Sequence, residues 1–516
     1  MLDLGRTFLQ SVERSGDACA LVDGDRRLTY REWHDRIAAV AGGLRGLGLG
    51  RGDHLLVAMQ NRWEMATLHW ACQFLGIVVT PLNWRAKADE VDYCLADSGA
   101  RALAFDPAVA EALSNASLAQ RLPRVGVGQA EGSTVRFDDW LSAGPQPLAP
   151  LADAGDLSLM LYTSGTTGRP KGVPRTHRAE RIAALAHVAQ NCYRHAECTL
   201  GVMPLYHTMG VRSLLAMALV DGRLVCLPKF DAGLALAAIE RERVTHLYLV
   251  PTLYHDMLAH PAFAGTDVSS VRKLGFAGAP MHDALLERLN AAFAPELFVN
   301  HYGSSEIYTF SIAQDAAAKP GSAGRAGINT RLRVVPLNSP SADVCCPPLQ
   351  EGEIVADLAG DEAFSGYHQR PDANARSLRD GWYFTGDTGF VDQEGDLFVT
   401  GRVDDMIITG GENVSPVEIE SCLSLHPAVA EVAVVGLPDT RWGRIVTAFV
   451  AARGRVTAAE LDRHCRDSGL TNFKRPRRFV FVQEVPRSPV GKLLRRKLVE
   501  GDYRPADPET DQEQNA

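Results

Sequence analysis

The sequence predicts an α/β protein with a large N-terminal domain of several α/β subdomains and a small, mobile C-terminal α+β domain. Three observations predict this fold class: a length of 516 residues, apolar strand and helix patterns that alternate along most of the chain, and a change of texture near Gly401. A chain of this length has ample core for at least two domains. Its 46% hydrophobic and 22% charged content is that of a globular protein.

The alternation begins in the first hundred residues. A helical pattern follows Leu28, and after it come an apolar run at 55–59, a helical pattern near 63–75, the run IVVTPL and a helical pattern near 87–97. Strand and helix patterns alternate again after residue 196. Segments with the apolar periodicity of helices separate the strand candidates TLGVMP, RLVCLP, HLYLVP, KLGFAG and ELFVNHYG. Strands that alternate with helices predict parallel βα units in one large domain.

The local composition changes in the stretch GRVDDMIITGGENVSP, which is rich in charged residues and glycine. A new helix and strand pattern follows it. We therefore expect a large domain at 1–401, a hinge at 402–404 and a small domain at 405–502. The last segment, 503–516, is polar, acidic and proline-containing, which predicts a disordered tail.

Charge and cysteine usage exclude several classes of partner. A formal charge of −9 disfavours a general affinity for nucleic acid or anionic membranes. The ten cysteines lack zinc-site spacing, which favours a reducing cytosol. No apolar run approaches the roughly 18 residues of a membrane span. We expect a cytoplasmic protein without a nucleic-acid partner or membrane span, with a homodimer as the candidate assembly.

The segment TSGTTGRPKGV, at 163–173, follows a buried-strand pattern and precedes a helical pattern near His177. Its glycines let backbone N–H groups converge on an anion, its hydroxyls add donors, and Lys171 adds a positive charge. We therefore predict a polyphosphate-binding loop between a strand and a helix. The spacing differs from GxxxxGK[ST], so the loop is not a P-loop of the usual kind. A glycine-rich surface turn is the alternative.

This loop resembles the phosphate loop of the adenylate-forming superfamily, which contains acyl-CoA and aryl-CoA synthetases, luciferases and peptide adenylation domains. Five further signatures of that superfamily follow in order: PLYH at 204–207, YGSSE at 302–306, YFTGD at 383–387, GRVDDMIITGGENVSPVEIE at 401–420 and PRSPVGKLLRR at 486–496. RWG at 441–443 and FKRP at 473–476 are most similar to bacterial aryl-CoA ligases of the 4-chlorobenzoate and benzoate type.

The resemblance implies an AMP-forming ligase that uses ATP, Mg²⁺ and CoA. Such an enzyme activates an aromatic, benzoate-type acid as its acyl adenylate, releases pyrophosphate, and then forms the aryl-CoA thioester. Two alternatives stay within the superfamily: a medium-chain or alicyclic acyl-CoA synthetase, and a freestanding adenylation enzyme that loads a carrier protein. A nucleotide-binding regulator without catalysis is a third, and the presence of both Lys492 and Glu306 argues against it.

The resemblance also assigns residues. The catalytic set is Lys492, His207, Thr163 and Glu306, with Glu306 the magnesium ligand; His207 is expected to shape the acyl pocket, because no nucleophile motif accompanies it as a base. The nucleotide site comprises Thr163, Ser164, Gly165, Thr166, Thr167, Gly168, Lys171, Gly278, Ala279, Pro280, Tyr302, Gly303, Ser304, Ser305, Asp387 and Arg402. Ser305 stands where family members often have Thr, and its hydroxyl preserves the expected nucleotide contact.

The remaining assignments concern the acid, the hinge and CoA. The acyl pocket comprises His207, Thr208, Met209, Tyr248 and His301, and among these His301 is the candidate partner for a polar ring substituent. The hinge residue is Asp404. The CoA site comprises Arg85, Gly410, Gly411, Trp442, Phe473, Lys474, Arg475 and Arg477. Residues 471–500 contain nine Lys or Arg against two Glu, a local charge of +7 that suits a polyanion.

Overall fold

The computed structural model describes residues 2–163, 169–409, 412–487 and 493–506; the side chains at 412 and 413 are outside that description. Within these ranges no helix combines the length and the apolar character that crossing a bilayer requires.

The helices of the described ranges are α1 (Leu4–Ser15), α2 (Tyr30–Gly46), α3 (Trp63–Leu75), α4 (Ala88–Ser98), α5 (Ala110–Asn115), α6 (Phe137–Ser142), α7 (His177–Gln190), α8 (Thr208–Leu219), α9 (Ala232–Glu242), α10 (Pro251–Ala259), α11 (Asp283–Phe293), α12 (Pro371–Ser377), α13 (Pro416–Ser424), α14 (Ala458–Asp467) and α15 (Arg495–Glu500). Local sequence explains several starts. Thr29 and Glu32 form a capping box at α2, and Thr457 and Glu460 form another at α14.

The strands are β1 (Cys19–Asp23), β2 (Arg26–Thr29), β3 (His54–Ala58), β4 (Val78–Leu82), β5 (Ala102–Phe105), β6 (Arg124–Gly126), β7 (Val135–Arg136), β8 (Leu157–Thr163), β9 (Lys171–Thr176), β10 (Cys198–Gly201), β11 (Arg223–Cys226), β12 (His246–Leu249), β13 (Lys273–Phe276), β14 (Leu297–Tyr302), β15 (Ser311–Ala313), β16 (Ser322–Ala326), β17 (Leu332–Val335), β18 (Gly352–Asp357), β19 (Leu378–Arg379), β20 (Trp382–Val391), β21 (Leu397–Arg402), β22 (Ile407–Thr409), β23 (Glu412–Val414), β24 (Val429–Asp439), β25 (Gly443–Ala452) and β26 (Arg478–Phe481).

Two sheets form the large domain. The longer one runs in the order β17-β18-β20-β21-β16-β15-β14-β13-β12-β10-β11-β1-β2. Its strands from β14 to β11 and β1 are parallel, whereas β15 to β21 are antiparallel. The second sheet runs β7-β6-β5-β3-β4-β8-β9 and is parallel except for its last pair. An apolar core containing Phe8, Trp70 and Leu214 joins both sheets through α1, α3 and α8.

The small domain has its own core. Strands β24, β25 and β26 form one sheet, β22 and β23 form a hairpin, and Ile419, Val434 and Leu461 lie buried between the sheet and its helices. The predicted α/β large domain and the small α+β domain are therefore confirmed. The boundary proposed between them stays a prediction.

The glycine-rich loop differs from the prediction in one respect. It joins two antiparallel strands, with Thr163 opposite Lys171, and β9 ends just before α7 begins at His177. The prediction of a loop leading directly into a helix was wrong. Strand β9 escaped notice because it carries a proline and the fully buried Arg175, and proline is tolerated because β9 is an edge strand.

The predicted tail also begins too early. Residues 503–506 continue the small domain: the Tyr503 ring lies 5.0 Å from that of Phe449, and Ala506 N donates to the Phe481 carbonyl. These contacts hold residues 503–506 against the small domain, although their polar composition had predicted disorder. Residues 507–516 lie outside the described ranges.

Candidate active site

Several predicted site segments of the large domain follow the carboxyl ends of parallel strands. Strand β10 leads to PLYH, β12 to Val250, β13 to Gly278 and β14 to the YGSSE signature. Loops that follow neighbouring parallel strands open at the same edge of a sheet, which is where such sheets bind ligands. The strand order therefore brings signatures that are far apart in the sequence to the same edge of the sheet.

Three of the predicted nucleotide contacts form a hydrogen-bonded set. The Tyr302 hydroxyl donates to Asp387 Oδ2 at 2.6 Å, and Arg402 Nη1 donates to Asp387 Oδ1 at 2.6 Å. Burial alone would lower the pKa of Arg402, but Asp387 and the neighbouring tyrosines raise it above its usual range. Arg402 also ends β21, opposite Asp387 in β20, so the first residue of the predicted hinge belongs to the large domain's sheet.

Glu306 is buried, and its carboxylate is held in place. Tyr367 donates its hydroxyl to Glu306 Oε1 at 2.6 Å, and the Tyr383 hydroxyl lies 3.2 Å from that of Tyr367. The backbone carbonyl of Glu306 accepts from Arg175 Nη1 at 3.0 Å. Arg175 is itself buried and paired with Glu180 at 2.8 Å. The Glu306 carboxylate thus has a fixed orientation, as a ligand for a hard cation requires.

Lys171 lies beside this carboxylate. Its Nζ is 4.1 Å from the centre of the Tyr367 ring. Burial lowers the pKa of Lys171, and the nearby Glu306 carboxylate opposes that shift. Thr163, half-buried, ends the strand opposite. A positive charge, a hydroxyl and a carboxylate therefore border the glycine-rich loop.

Two glycines of the predicted nucleotide site have steric reasons to be glycine. A Cβ at Gly303 would lie 2.1 Å from the Tyr308 carbonyl oxygen, so a side chain there would displace backbone. Gly278 has φ of +81°, in the left-handed region, and Ala279 and Pro280 follow it. A Cβ at Gly278 would lie 3.3 Å from Val250 and 4.0 Å from Met209, which brings the predicted adenine wall next to the predicted acyl pocket.

The PLYH signature leads into α8. His207 is the N-cap residue, and its Nδ1 accepts from Met209 N at 3.3 Å. Thr208 Oγ1 lies 3.3 Å from the same nitrogen. Burial raises the pKa of Tyr206 to about 12, although the adjacent Arg85 opposes the shift. Arg85 thus lies beside this signature, with its guanidinium 3.7 Å from the Trp84 ring centre.

A polar cluster lies buried among α8, β12, β14 and the end of α7. It comprises Tyr248, His301, His187, Asn191 and Arg212. The Tyr248 ring centre lies 5.0 Å from that of His301 and 4.7 Å from that of His187, and Arg212 Nη2 donates to the Tyr248 hydroxyl. Tyr248 and His301 were predicted for the acyl pocket.

The predicted CoA residues of the small domain are close together. The Arg477 guanidinium lies 4.6 Å from the Trp442 ring centre, and Lys474 Nζ lies 5.9 Å from that of Phe473. A groove of about 420 Å³ is lined by Arg475 and Arg477. The local charge of +7 is nevertheless partly neutralised, because Lys474 pairs with Glu418 at 2.7 Å and Arg475 with Asp462 at 3.1 Å. Both carboxylates lie outside the segment whose charge was counted.

Several predicted residues lie outside the described ranges: Ser164, Gly165, Thr166, Thr167, Gly168, Gly410, Gly411 and Lys492. Asp404 is described and exposed in the turn after β21, where Asp405 N and Met406 N donate to the Arg402 carbonyl. The roles assigned to these residues stay predictions.

Sequence reasoning missed Tyr367, Arg175 and Arg212. Tyr367 lies in SGYHQRP, which forms no recognised signature, although a tyrosine between a glycine and a polar loop was a weak signal. Arg175 and Arg212 read as surface cations, since arginine is rarely buried. Only the fold reveals that both are 2% exposed or less.

Comparison with known proteins identifies the family of the chain. Residues 8–368 match the AMP-binding enzyme family, and residues 418–492 match the AMP-binding enzyme C-terminal domain. The chain is 36% identical to a 4-chlorobenzoate–CoA ligase of Arthrobacter sp. over 95% of this chain and 93% of that one. It is 34% identical to the long-chain-fatty-acid–CoA ligase FadD13 of Mycobacterium tuberculosis over 92% of this chain and 93% of that one.

Among solved structures, the anthranilate CoA ligase AuaEII in complex with anthranoyl-AMP is similar, with a TM-score of 0.89, 27% identity and coverage of 97% of both chains. The chain belongs to the AMP-binding enzyme family. The predicted class of enzyme, an AMP-forming acid–thiol ligase of the acyl-CoA and aryl-CoA synthetase type, is thereby confirmed.

Proposed function

We propose that this enzyme activates an aromatic, benzoate-type carboxylic acid and transfers the acyl group to CoA. In the first step a carboxylate oxygen of the acid attacks the α-phosphorus of ATP, the bond to the β-phosphate oxygen breaks, and pyrophosphate leaves. In the second step the CoA sulfur attacks the acyl carbon, its proton passes to solvent or a base, and AMP leaves. The observation that carries the proposal is the Tyr302–Asp387–Arg402 set beside Glu306 and Lys171.

The first step brings two anions together, so it needs positive charge and donors that are already oriented. Lys171 and the glycine-rich loop would hold the β- and γ-phosphates. Asp387 would accept hydrogen bonds from the ribose hydroxyls. The hydrogen bonds that Tyr302 and Arg402 donate to its carboxylate fix the rotamer of Asp387 for this contact. Lys492 would lie between the carboxylate and the α-phosphate. These roles rest on matched signatures and on the geometry around Asp387.

Glu306 fits the magnesium role, since its carboxylate is buried, oriented by Tyr367 and close to the glycine-rich loop. Mg²⁺ bound there would supply charge that neutralises triphosphate oxygens. Tyr367 would keep the carboxylate in one rotamer, and Arg175 would fix the backbone of the same residue.

The second step needs another surface of the small domain. Rotation about Asp404 would withdraw Lys492 and present Trp442 and Arg477, with the adenine of CoA on the indole and its phosphates on the arginines. An indole ring with an arginine stacked on it suits a planar, anionic nucleotide. This favours free CoA over a carrier-protein thiol.

An aromatic acid is favoured over an aliphatic one by the walls of the predicted pocket. The predicted pocket includes Tyr248 and His301, whose rings both pack against that of His187, and the relatives include a ligase named for 4-chlorobenzoate. Cytoplasmic location, which supplies ATP and CoA, is proposed with the same activity.

The purified enzyme should release AMP from ATP in an acid-dependent and CoA-dependent manner. A panel of benzoates, cinnamates, alicyclic acids and fatty acids should give the highest kcat/KM with an aromatic acid, together with the matching CoA thioester. A preference for fatty or alicyclic acids would replace the aromatic assignment. Absence of AMP release with every acid would overturn the proposed function.

A further inference from the structure

The buried polar cluster of Tyr248, His301, His187, Asn191 and Arg212 contains two polar atoms without a partner among the described residues. They are Nδ1 of His301 and Nε of Arg212. Both residues are 2% exposed. Leaving a buried donor or acceptor without a partner is unfavourable, so two such atoms in one cluster make it a candidate site for a polar ligand group. Neither atom is used by the nucleotide chemistry described above.

Asn191 determines which ring nitrogen of His301 carries the hydrogen. Its Nδ2 donates to the His187 carbonyl at 2.7 Å and lies 2.9 Å from His187 Nδ1, so its Oδ1 is the atom 3.1 Å from His301 Nε2. A carbonyl oxygen only accepts, and therefore His301 Nε2 carries the hydrogen. Burial and then the charge of Arg212 lower the pKa of His301 well below its usual range, so the ring is neutral. His301 Nδ1 is consequently an acceptor.

Arg212 supplies the complementary group. Its Nη1 donates to Thr309 Oγ1 at 2.7 Å and to the Tyr308 carbonyl at 3.3 Å, and its Nη2 donates to the Tyr248 hydroxyl. All three acceptors are neutral. The Nε–H is a donor, since guanidinium nitrogens only donate. One end of the cluster thus accepts a hydrogen bond and the other donates one.

The cluster adjoins the predicted acyl pocket. Arg212 lies one helical turn after Met209, on the same face of α8, and Met209 borders Gly278. The Tyr248 ring contacts both residues, with its centre 5.0 Å from the His301 ring centre and 5.2 Å from Arg212 Cζ. A substituent on the acid that passed Met209 would reach this cluster.

We infer that His301 and Arg212 are specificity-determining residues for a hydroxyl group on the acid, at the end remote from its carboxylate. This rests on the proposed function. A hydroxyl can both donate to Nδ1 of His301 and accept from Nε of Arg212, so it matches both atoms. A halogen, a nitro group or a second carboxylate only accepts, and an aromatic amine is a poor acceptor, so each would leave one atom unpaired. An unsubstituted ring would leave both unpaired.

The test compares matched acids with the full-length enzyme. Acid-dependent AMP release in the presence of CoA is measured as kcat/KM for benzoate, its 2-, 3- and 4-hydroxy, 4-amino and 4-chloro derivatives, and cinnamate with its hydroxy derivatives. At least one hydroxy acid should exceed its unsubstituted parent by about tenfold or more, because a site built to hydrogen-bond a hydroxyl rejects the analogue without it. The hydroxy acid should also exceed the amino and chloro analogues.

Variants then assign the effect to residues. His301→Phe keeps the ring and removes the acceptor, and Arg212→Met keeps the length and removes the donor; each should bring the ratio of hydroxy acid to parent towards 1. Arg212→Lys retains the charge without Nε–H and serves if Arg212→Met fails to fold, as judged by thermal unfolding. His255→Phe, the same change at a position on α10 whose side chain is 40% exposed, should leave the ratio as it is.

The outcomes separate the two proposals. Turnover of parent and hydroxy acids with equal kcat/KM, a preference for chloro or amino acids, or an unchanged ratio in folded His301→Phe and Arg212 variants would overturn the hydroxyl inference and leave the ligase reaction standing. Lack of AMP release with every acid would overturn the proposed function, and this inference with it.

Discussion

The hydroxyl of Tyr367 donates to Glu306 Oε1 at 2.6 Å, which joins a segment without any recognised signature to the carboxylate expected to hold magnesium. The same tyrosine ring lies 4.1 Å from Lys171 Nζ. One side chain therefore touches both charged groups that border the glycine-rich loop. Its position suggests that it orients them rather than reacting with substrate.

Tyr367→Phe removes this hydrogen bond and keeps the ring. Because partners of metal-binding carboxylates commonly contribute about 10–100-fold to metal affinity or activity, we expect the Mg²⁺ concentration for half-maximal ATP–pyrophosphate exchange to rise by about that factor. Tyr503→Phe, in the small domain, is the matched control. An unchanged Mg²⁺ requirement would remove Tyr367 from this role.

Lys492→Ala should separate the two half-reactions. We expect it to lower ATP–pyrophosphate exchange by at least about 100-fold, because the transition state loses a positive charge between two anions. CoA capture of preformed acyl adenylate should be largely retained, since the proposed rotation moves Lys492 away in that step. Single-turnover measurement of each step checks this, and equal loss of both steps would contradict the assignment.

Trp442 and Arg477 should act together on CoA. A stacked arginine and indole contribute about 0.5–1 kcal/mol, so Arg477→Ala should raise the KM for CoA at least about twofold to fivefold, with more if phosphate contacts are also lost. ATP–pyrophosphate exchange needs no CoA, so Arg477→Ala should leave its rate unchanged. Arg478→Ala, at the next residue, where β26 begins, is the control. A CoA requirement that Arg477→Ala leaves unchanged argues against this surface.

Glu362 should make stability depend on pH. Burial raises the pKa of Glu362 to about 7 from its ordinary 4.5, and Arg175 and then Arg212 oppose the shift while Glu180 adds to it. Between these two values the folded state binds more protons than the unfolded state, so this group makes stability fall as pH rises. The full effect is about 3 kcal/mol.

Glu362→Gln should remove that component. Denaturant unfolding of the wild type and the variant at several pH values between 4.5 and 7 measures the difference directly, which cancels the contribution of the buried histidines. The stability of the wild type relative to Glu362→Gln should decline across this range. A difference that is constant or rises with pH would contradict the expected direction.

Most of the parallel framework followed from sequence because each strand and helix carries its own periodicity. The pattern at 63–75 became α3 with those bounds, and the five strand candidates after residue 196 became β10 to β14. Strand β9 was missed, since Arg175 and Pro174 break the apolar pattern of a buried strand. Edge pairing with β8 and the ion pair to Glu180 compensate for them.

By itself, the sequence determined the class of enzyme, because phosphate binding and adenylate chemistry depend on short segments whose residues are contiguous. It also determined most of the parallel framework of strands and helices in the large domain. Only the tertiary structure decided which charges are neutralised and which polar atoms meet. Lys474 and Arg475 find their carboxylates elsewhere in the chain, and His301, Asn191 and Arg212 come together from β14, the end of α7 and α8. Such contacts depend on packing between elements far apart in sequence, so periodicity and motif spacing carry no record of them.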